Sequence, residues 1–167
     1  MHKFKRFALI VTPMILLSGC TTDGGVNPMI DQNSNSSSSL PDVSGGKGAK
    51  PTISAPVGSP PSTLQQSDIF VGSGKEAIET SIVEVHYTLM AWSSGVLVES
   101  SWDSGQTYTS ALSGLIAGWQ QGIPGMKEGG RRLLVIPPDL GYGAQGAGAS
   151  IGPNETLIFV VDLVTVS

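Results

Sequence analysis

Cysteine is almost missing from this 167-residue chain: Cys20 stands alone, so no disulfide can form within it. Histidine is nearly as scarce, with only His2 and His86, and a zinc site of several His and Cys ligands is excluded. A Ser-His-Asp triad would have to use one of these histidines. The glycines of the 141–148 loop lack the lysine of a phosphate-binding loop. Basic residues are few, 9 against 13 acidic, for a net charge of -4. An acidic chain without a basic cluster does not attract phosphate backbones, and no nucleic-acid partner is expected. Any reaction run by this chain therefore needs neither a side-chain nucleophile nor a metal, and no cofactor is expected.

What is present falls into three segments. In residues 1–19, Lys3, Lys5 and Arg6 precede a mostly apolar run from Phe7 to Leu17. That run is too short, and too interrupted by Thr12-Pro13, to span a bilayer, so it reads as a signal peptide. Once those three cations leave, six of the nine basic residues remain against 13 acidic ones, a net of -7. Leu17-Ser18-Gly19-Cys20 resembles the lipobox of bacterial lipoproteins. The resemblance implies a diacylglycerol thioether on Cys20, cleavage just before it, and a membrane partner through the lipid anchor; several acyl chains anchor stably where one would be marginal. An ordinary cleaved signal with an accidental cysteine is the competing reading. Thr21, in place of an aspartate, implies by resemblance to enterobacterial sorting patterns the outer membrane, facing the periplasm.

Residues 20–66 read as the lipidated cysteine and a tether. Asn33 to Ser39 and Gly45-Gly46-Lys47-Gly48 are flexible in composition, while Pro51, Pro56, Pro60 and Pro61 favour extended backbone. No apolar periodicity offsets the entropy of ordering this stretch.

Residues 67–167 read as the folded domain. Val83, Val85, Tyr87 and Leu89 alternate onto one face of a strand, leaving Glu84, His86 and Thr88 on the other. Further strands are expected around Val96-Leu97-Val98, around Tyr108, at Arg131–Ile136 and at Leu157–Val166. The last is apolar on both faces, and nothing in the sequence identifies what covers Ile158, Val160 and Val164. Between them lies one short helix around Trp119, with Ser113 as its expected N-cap and Gly122, Pro124 and Gly125 as its stop. Leu115, Trp119 and Ile123 form its apolar stripe. The fold class is α+β: an antiparallel sheet with one short helix on one face. Tyr87, Tyr108, Trp119, Tyr142 and Phe159 lie on different elements that could converge on that helix, either as plain core or as an aromatic pocket.

Five ordered blocks carry a resemblance. Val85-His86-Tyr87-Thr88, Ile116-Ala117-Gly118-Trp119, Gly125-Met126-Lys127-Glu128-Gly129-Gly130, Ile136 to Gly143 and Asn154 to Phe159 resemble the FKBP-type peptidyl-prolyl cis-trans isomerases. The resemblance covers about Ile69 to Val166 and implies a bent antiparallel sheet wrapped around the short helix. It implies a proline pocket lined by Tyr87, Val98, Tyr108, Leu115, Ile116, Trp119, Tyr142, Ile151 and Phe159, with Trp119 as the platform. It also implies that the Ile116 N–H and the Tyr142 hydroxyl hold substrate carbonyls, and that Glu99 stands at the position of a family aspartate. The partners implied are proline-containing polypeptides and macrolide inhibitors. This chain departs from the family at Val98-Glu99, where Phe-Asp is usual, at Ser104, where an arginine often pairs with that aspartate, and at Ser150 and Gly152. Those departures leave a second reading beside the isomerase: an isomerase-like module that binds peptides with little turnover.

Overall fold

Alternation such as that of Val83 to Leu89 is satisfied only where one face of a strand is buried, and here that strand becomes the middle of the sheet. The computed structural model describes residues 40–167. It contains β1 (Val43–Ser44), β2 (Thr52–Ile53), β3 (Gln65–Phe70), β4 (Ile82–Ala91), β5 (Leu97–Ser100), β6 (Tyr108–Ala111), α1 (Ala117–Gly122), β7 (Arg131–Ile136) and β8 (Leu157–Val166). The main sheet runs β3-β7-β8-β4-β5, all antiparallel, and β6 shares with β5 the outer edge of β4. β6 pairs with Ile82 to Val85 and β5 with Thr88 to Met90. In the gap between them the Ser101 hydroxyl accepts the Tyr87 N–H at 2.9 Å. The sheet with its one short helix is the expected α+β fold.

One face of the sheet packs Val83, Val85, Leu89, Leu134, Ile136, Phe159 and Val161 against Trp119 and Ile123. The helix can approach that closely because glycines face β7. A Cβ on Gly118 would lie 2.4 Å from Ile136 Cγ2, and one on Gly122 would lie 2.7 Å from Leu134 Cδ2. The helix begins later than expected. Ser113 falls in a separate 3-10 turn, Leu112–Gly114, and Leu115 is extended (φ -98, ψ 172), so Ile116 becomes the N-cap without a side-chain cap bond. Gln120 reaches back instead, its amide donating to the Leu115 carbonyl at 2.7 Å. At the far end Arg132 donates to the carbonyls of Gly122 (2.7 Å) and Pro124 (3.3 Å) while forking onto Asp68 of β3. A buried arginine thus satisfies the end of the helix that carries Trp119.

The opposite face explains the doubly apolar β8. Leu40, Val43 and Ile53 pack over Met90, Trp92, Leu133, Val135, Ile158 and Val160. β1 and β2 pair with each other in this strap. Arg131, fully buried, donates to Asp162 and to the carbonyls of Gly45 and Ala49. The expected tether therefore differs from the structure over residues 40–66. That stretch lies on the sheet, and β3 starts at Gln65, before the expected domain boundary. The cause is physical: the strap contributes isolated apolar side chains, while the surface that requires them belongs to β7 and β8. Val164 stays 40 % exposed. The expected signal peptide, Cys20 and the tether up to residue 39 lie outside the described residues. Among the described residues no helix is long and apolar enough to cross a membrane.

Candidate active site

The helix face, the sheet and the glycine-rich loop enclose a pocket of about 180 Å³. Its lining comes from four strands of the main sheet: Tyr87 and Leu89 from β4, Glu99 from β5, Tyr108 from β6 and Phe159 from β8. Leu115, Ile116 and Trp119 close it from the helix entry, and Tyr142 from the loop. Alternation on β4 puts Tyr87 and Leu89 on this face together, while the bulge between Leu89 and Met90 lets β5 bring Glu99 opposite Leu89.

The aromatic rings are fixed against one another. Trp119 and Phe159 meet edge to face with centroids 5.2 Å apart, and Tyr87 stands edge-on to Trp119 at 5.8 Å and to Tyr108 at 6.0 Å. These perpendicular arrangements suit the ring quadrupoles. Trp119 is 4 % exposed, and its indole N–H is buried without a protein acceptor. The indole is therefore the rigid floor of the pocket, with its polar edge unengaged.

Glu99 is the single charged group in the lining. Tyr87 keeps its proton: burial, followed by the adjacent Glu99 carboxylate and the neighbouring phenols, pushes it well above the usual tyrosine range. Tyr142 is raised in the same sense by burial, Glu99 and Tyr108. Each hydroxyl is thus available as a neutral hydrogen-bond donor. Ile116 offers a second kind of donor. Its carbonyl takes the N–H groups of Trp119 and Gln120, but its own N–H donates to no backbone carbonyl among the described residues.

The structure brings together Tyr87, Glu99, Tyr108, Leu115, Ile116, Trp119, Tyr142 and Phe159 from the expected set. It leaves two outside. Val98 is the extra residue of the β5 bulge and packs, half-buried, against the core, and Ile151 is 8 % exposed within the same core. Both support the wall without forming its surface. Leu89 lines the pocket although sequence reasoning did not name it as a site residue; its place two residues after Tyr87 on the same strand face was the available signal. His86 lies on the other side of the sheet, stacked on Trp102 at 4.0 Å with Nδ1 3.0 Å from the Ser101 hydroxyl. It does not enter the pocket. Among the described residues no cluster of His, Cys, Asp and Glu could hold a metal ion.

Residues 74–164 match the FKBP-type peptidyl-prolyl cis-trans isomerase family. This chain belongs to that family. The chain is 52 % identical over 116 residues to a probable FK506-binding protein of Corynebacterium glutamicum, a match covering 70 % of this chain and 98 % of that one. It is 47 % identical over 102 residues to an FK506-binding protein of Neisseria meningitidis, covering 59 % of this chain and 92 % of the relative. Among solved structures, FkpA from Escherichia coli superposes with a TM-score of 0.59 at 35 % identity. That match covers 62 % of this chain and 48 % of FkpA, so the chain spans about half of that protein. The FKBP-type fold is the observed one: an antiparallel sheet curved around α1, with its aromatic pocket at the helix entry. The strap residues 40–64 and β3 precede the matched family segment.

Proposed function

We propose that this chain is a membrane-tethered peptidyl-prolyl isomerase that rotates X-Pro bonds of exported polypeptides in the Trp119 pocket. The observation that carries the reading is an apolar, aromatic cavity lined by three tyrosines and by no serine, cysteine or lysine. Rotation about an X-Pro bond breaks no covalent bond and needs none of the reactive groups this chain lacks. The barrier is roughly 18–20 kcal/mol because the peptide C–N bond has partial double-bond character. In the twisted transition state the nitrogen no longer conjugates with the carbonyl, and charge separation falls. A dry, apolar pocket therefore favours the twisted form over the polar planar one.

The lining divides this work. Trp119 supplies a flat floor for the pyrrolidine ring, with Tyr87 and Phe159 standing as its walls. The Ile116 N–H and the Tyr142 hydroxyl hold the substrate carbonyls on either side of the turning bond. At about 180 Å³ the cavity is smaller than sites for drug-sized ligands, roughly 300 Å³ or more. It suits one proline residue with its neighbours left outside. Macrolide inhibitors such as FK506, for which the relatives are named, would overhang the rim and gain less here, because Val98 offers no aromatic wall.

A lipid on Cys20, facing the periplasmic side of the outer membrane, would keep this activity where exported chains fold. The lone cysteine at the end of Leu17-Ser18-Gly19-Cys20 supports that placement. Uncatalysed X-Pro isomerisation takes tens to hundreds of seconds, slow enough to limit folding. Two measurements test the reading. The protein should accelerate isomerisation of a short Leu-Pro peptide, and a rate equal to buffer would leave only a peptide-binding module. Cys20→Ser should move the protein from the membrane fraction to the soluble one, and unchanged fractionation would refute the anchor.

A further inference from the structure

Glu99 is an exposed carboxylate at the rim of a pocket whose other lining is apolar and phenolic. Among the described residues no protein cation pairs with it. The ion pairs among the described residues engage Lys50, Lys127, Arg131 and Arg132 with acids other than Glu99. Of the remaining described cations, Lys47 lines a groove on the opposite face with His86, and Lys75 adjoins Glu76 with its backbone N–H held by Glu128. Neither lines the pocket. Ser104, in the turn that follows β5, is neutral and donates its hydroxyl to the Ser101 carbonyl.

We infer that Glu99 makes this pocket selective for polypeptides carrying a lysine or arginine immediately beside the proline. This inference rests on the isomerase reading of the same pocket. A side chain flanking a proline seated on Trp119 must pass the rim, and Glu99 is the only formal charge it meets there. A cation gains a partner without displacing one. An anion meets a carboxylate with no neighbouring cation to soften the repulsion. Burial first, and then Glu99, holds the protons on Tyr87 and Tyr142, and the second of these causes is the same field. The overall excess of acidic residues works in the same direction at longer range.

The test uses neutral-capped tetrapeptides with lysine, glutamine or glutamate placed immediately before or immediately after the proline. At low ionic strength the lysine peptide should exceed the glutamine peptide by roughly two- to tenfold in kcat/KM in at least one position. The glutamate peptide should fall below glutamine. In about 1 M salt, where screening is strong, the lysine-to-glutamine ratio should approach one. It should do the same in Glu99→Gln, read as a ratio within that variant so that any general loss of rate cancels. A ratio of one or less in the natural protein at both positions, a ratio insensitive to salt, or an undiminished ratio in Glu99→Gln would each overturn the inference. If Glu99→Gln does not fold, the salt dependence alone decides. If none of the peptides is turned over, the isomerase reading falls, and anisotropy titrations of the same peptides, fluorescently labelled, still decide whether Glu99 selects cations.

Discussion

The indole of Trp119 and the ring of Phe159 stand perpendicular, at 86°, with centroids 5.2 Å apart. One ring comes from the short helix and the other from β8, the strand held between β4 and β7, so the sheet itself orients the pocket floor. Trp119→Leu removes the flat surface and two edge-to-face contacts. We expect kcat/KM on a Leu-Pro peptide to fall by about tenfold or more, the equivalent of about 1.4 kcal/mol. Stability should fall by about 2 kcal/mol from lost ring contacts. A peptide assay beside a urea titration separates the two effects, and a variant that loses stability while keeping full activity would remove the indole from the mechanism.

Tyr142 behaves differently because it is 39 % exposed. Its ring closes one side of the pocket, and its hydroxyl is a rim donor with its proton held on by burial and by Glu99. Tyr142→Phe keeps the ring and deletes the donor. A net hydrogen bond is worth about 1 kcal/mol, so kcat/KM should drop by roughly fivefold with the urea midpoint unmoved. An unchanged rate would show that the hydroxyl holds no substrate carbonyl.

The pocket was legible in the sequence to an unusual degree because its parts are local signals: a strand alternation that pairs Tyr87 with Leu89, a Trp in a glycine-bounded helix, a Tyr between glycines. What was not legible depends on contacts distant in sequence. Leu40, Val43 and Ile53 have no periodicity of their own, and only β8 paired between β4 and β7 creates the apolar surface they cover. The composition of residues 40–64 reads as a leash, yet the exposed alternative for Ile158 and Val160 is worse than ordering the strap. The helix start was misplaced for a related reason. Ser113 has the right chemistry for a cap, but the extended backbone at Leu115 separates its turn from α1.

Ionisation of Tyr87 gives a stability test at high pH. In an unfolded chain a tyrosine loses its proton near pH 10, whereas burial and then Glu99 hold the folded Tyr87 proton well beyond that. Above about pH 10 the folded state therefore binds more protons than the unfolded one, and stability falls as pH rises. Below pH 10 the contribution is fully present. The urea midpoint of the natural protein should decline between about pH 9.5 and 11 more steeply than that of Tyr87→Phe, which has no such proton to lose. Equal slopes would mean that the pocket does not disfavour the phenolate.

The strap can be tested without touching the pocket, which opens on the other face of the sheet. Ile53 is 7 % exposed and lies in the cluster with Met90, Leu133, Ile158 and Val160. Ile53→Ala should cost about 2 kcal/mol in a urea titration, the low end for a large-to-small change because the site is near the edge of the cluster. Peptide turnover should remain within error of the natural protein. A loss below about 0.5 kcal/mol, the range of ordinary surface changes, would show that the strap is a passive rider on the sheet.

Gly118 offers the sharpest packing test, because two rules disagree there. As a helix residue it should favour replacement by alanine by about 1 kcal/mol. Its environment forbids it: an added Cβ would lie 2.4, 2.7 and 2.9 Å from the Cγ2, Cδ1 and Cγ1 atoms of Ile136, which is fully buried and cannot swing away. Overpacking of this kind costs about 1–3 kcal/mol, so Gly118→Ala should destabilise the protein by about 1–2 kcal/mol despite its better propensity. Because the helix must shift to relieve the clash, Trp119 moves with it, and peptide turnover should fall as well. Ile136→Ala removes all three opposing atoms. Alone it leaves a cavity and costs about 3 kcal/mol; combined with Gly118→Ala, the total should fall short of the sum of the two single changes by at least about 1 kcal/mol. A strictly additive double variant would mean that Gly118 and β7 do not press on one another, and that something other than their close approach sets the height of the indole floor.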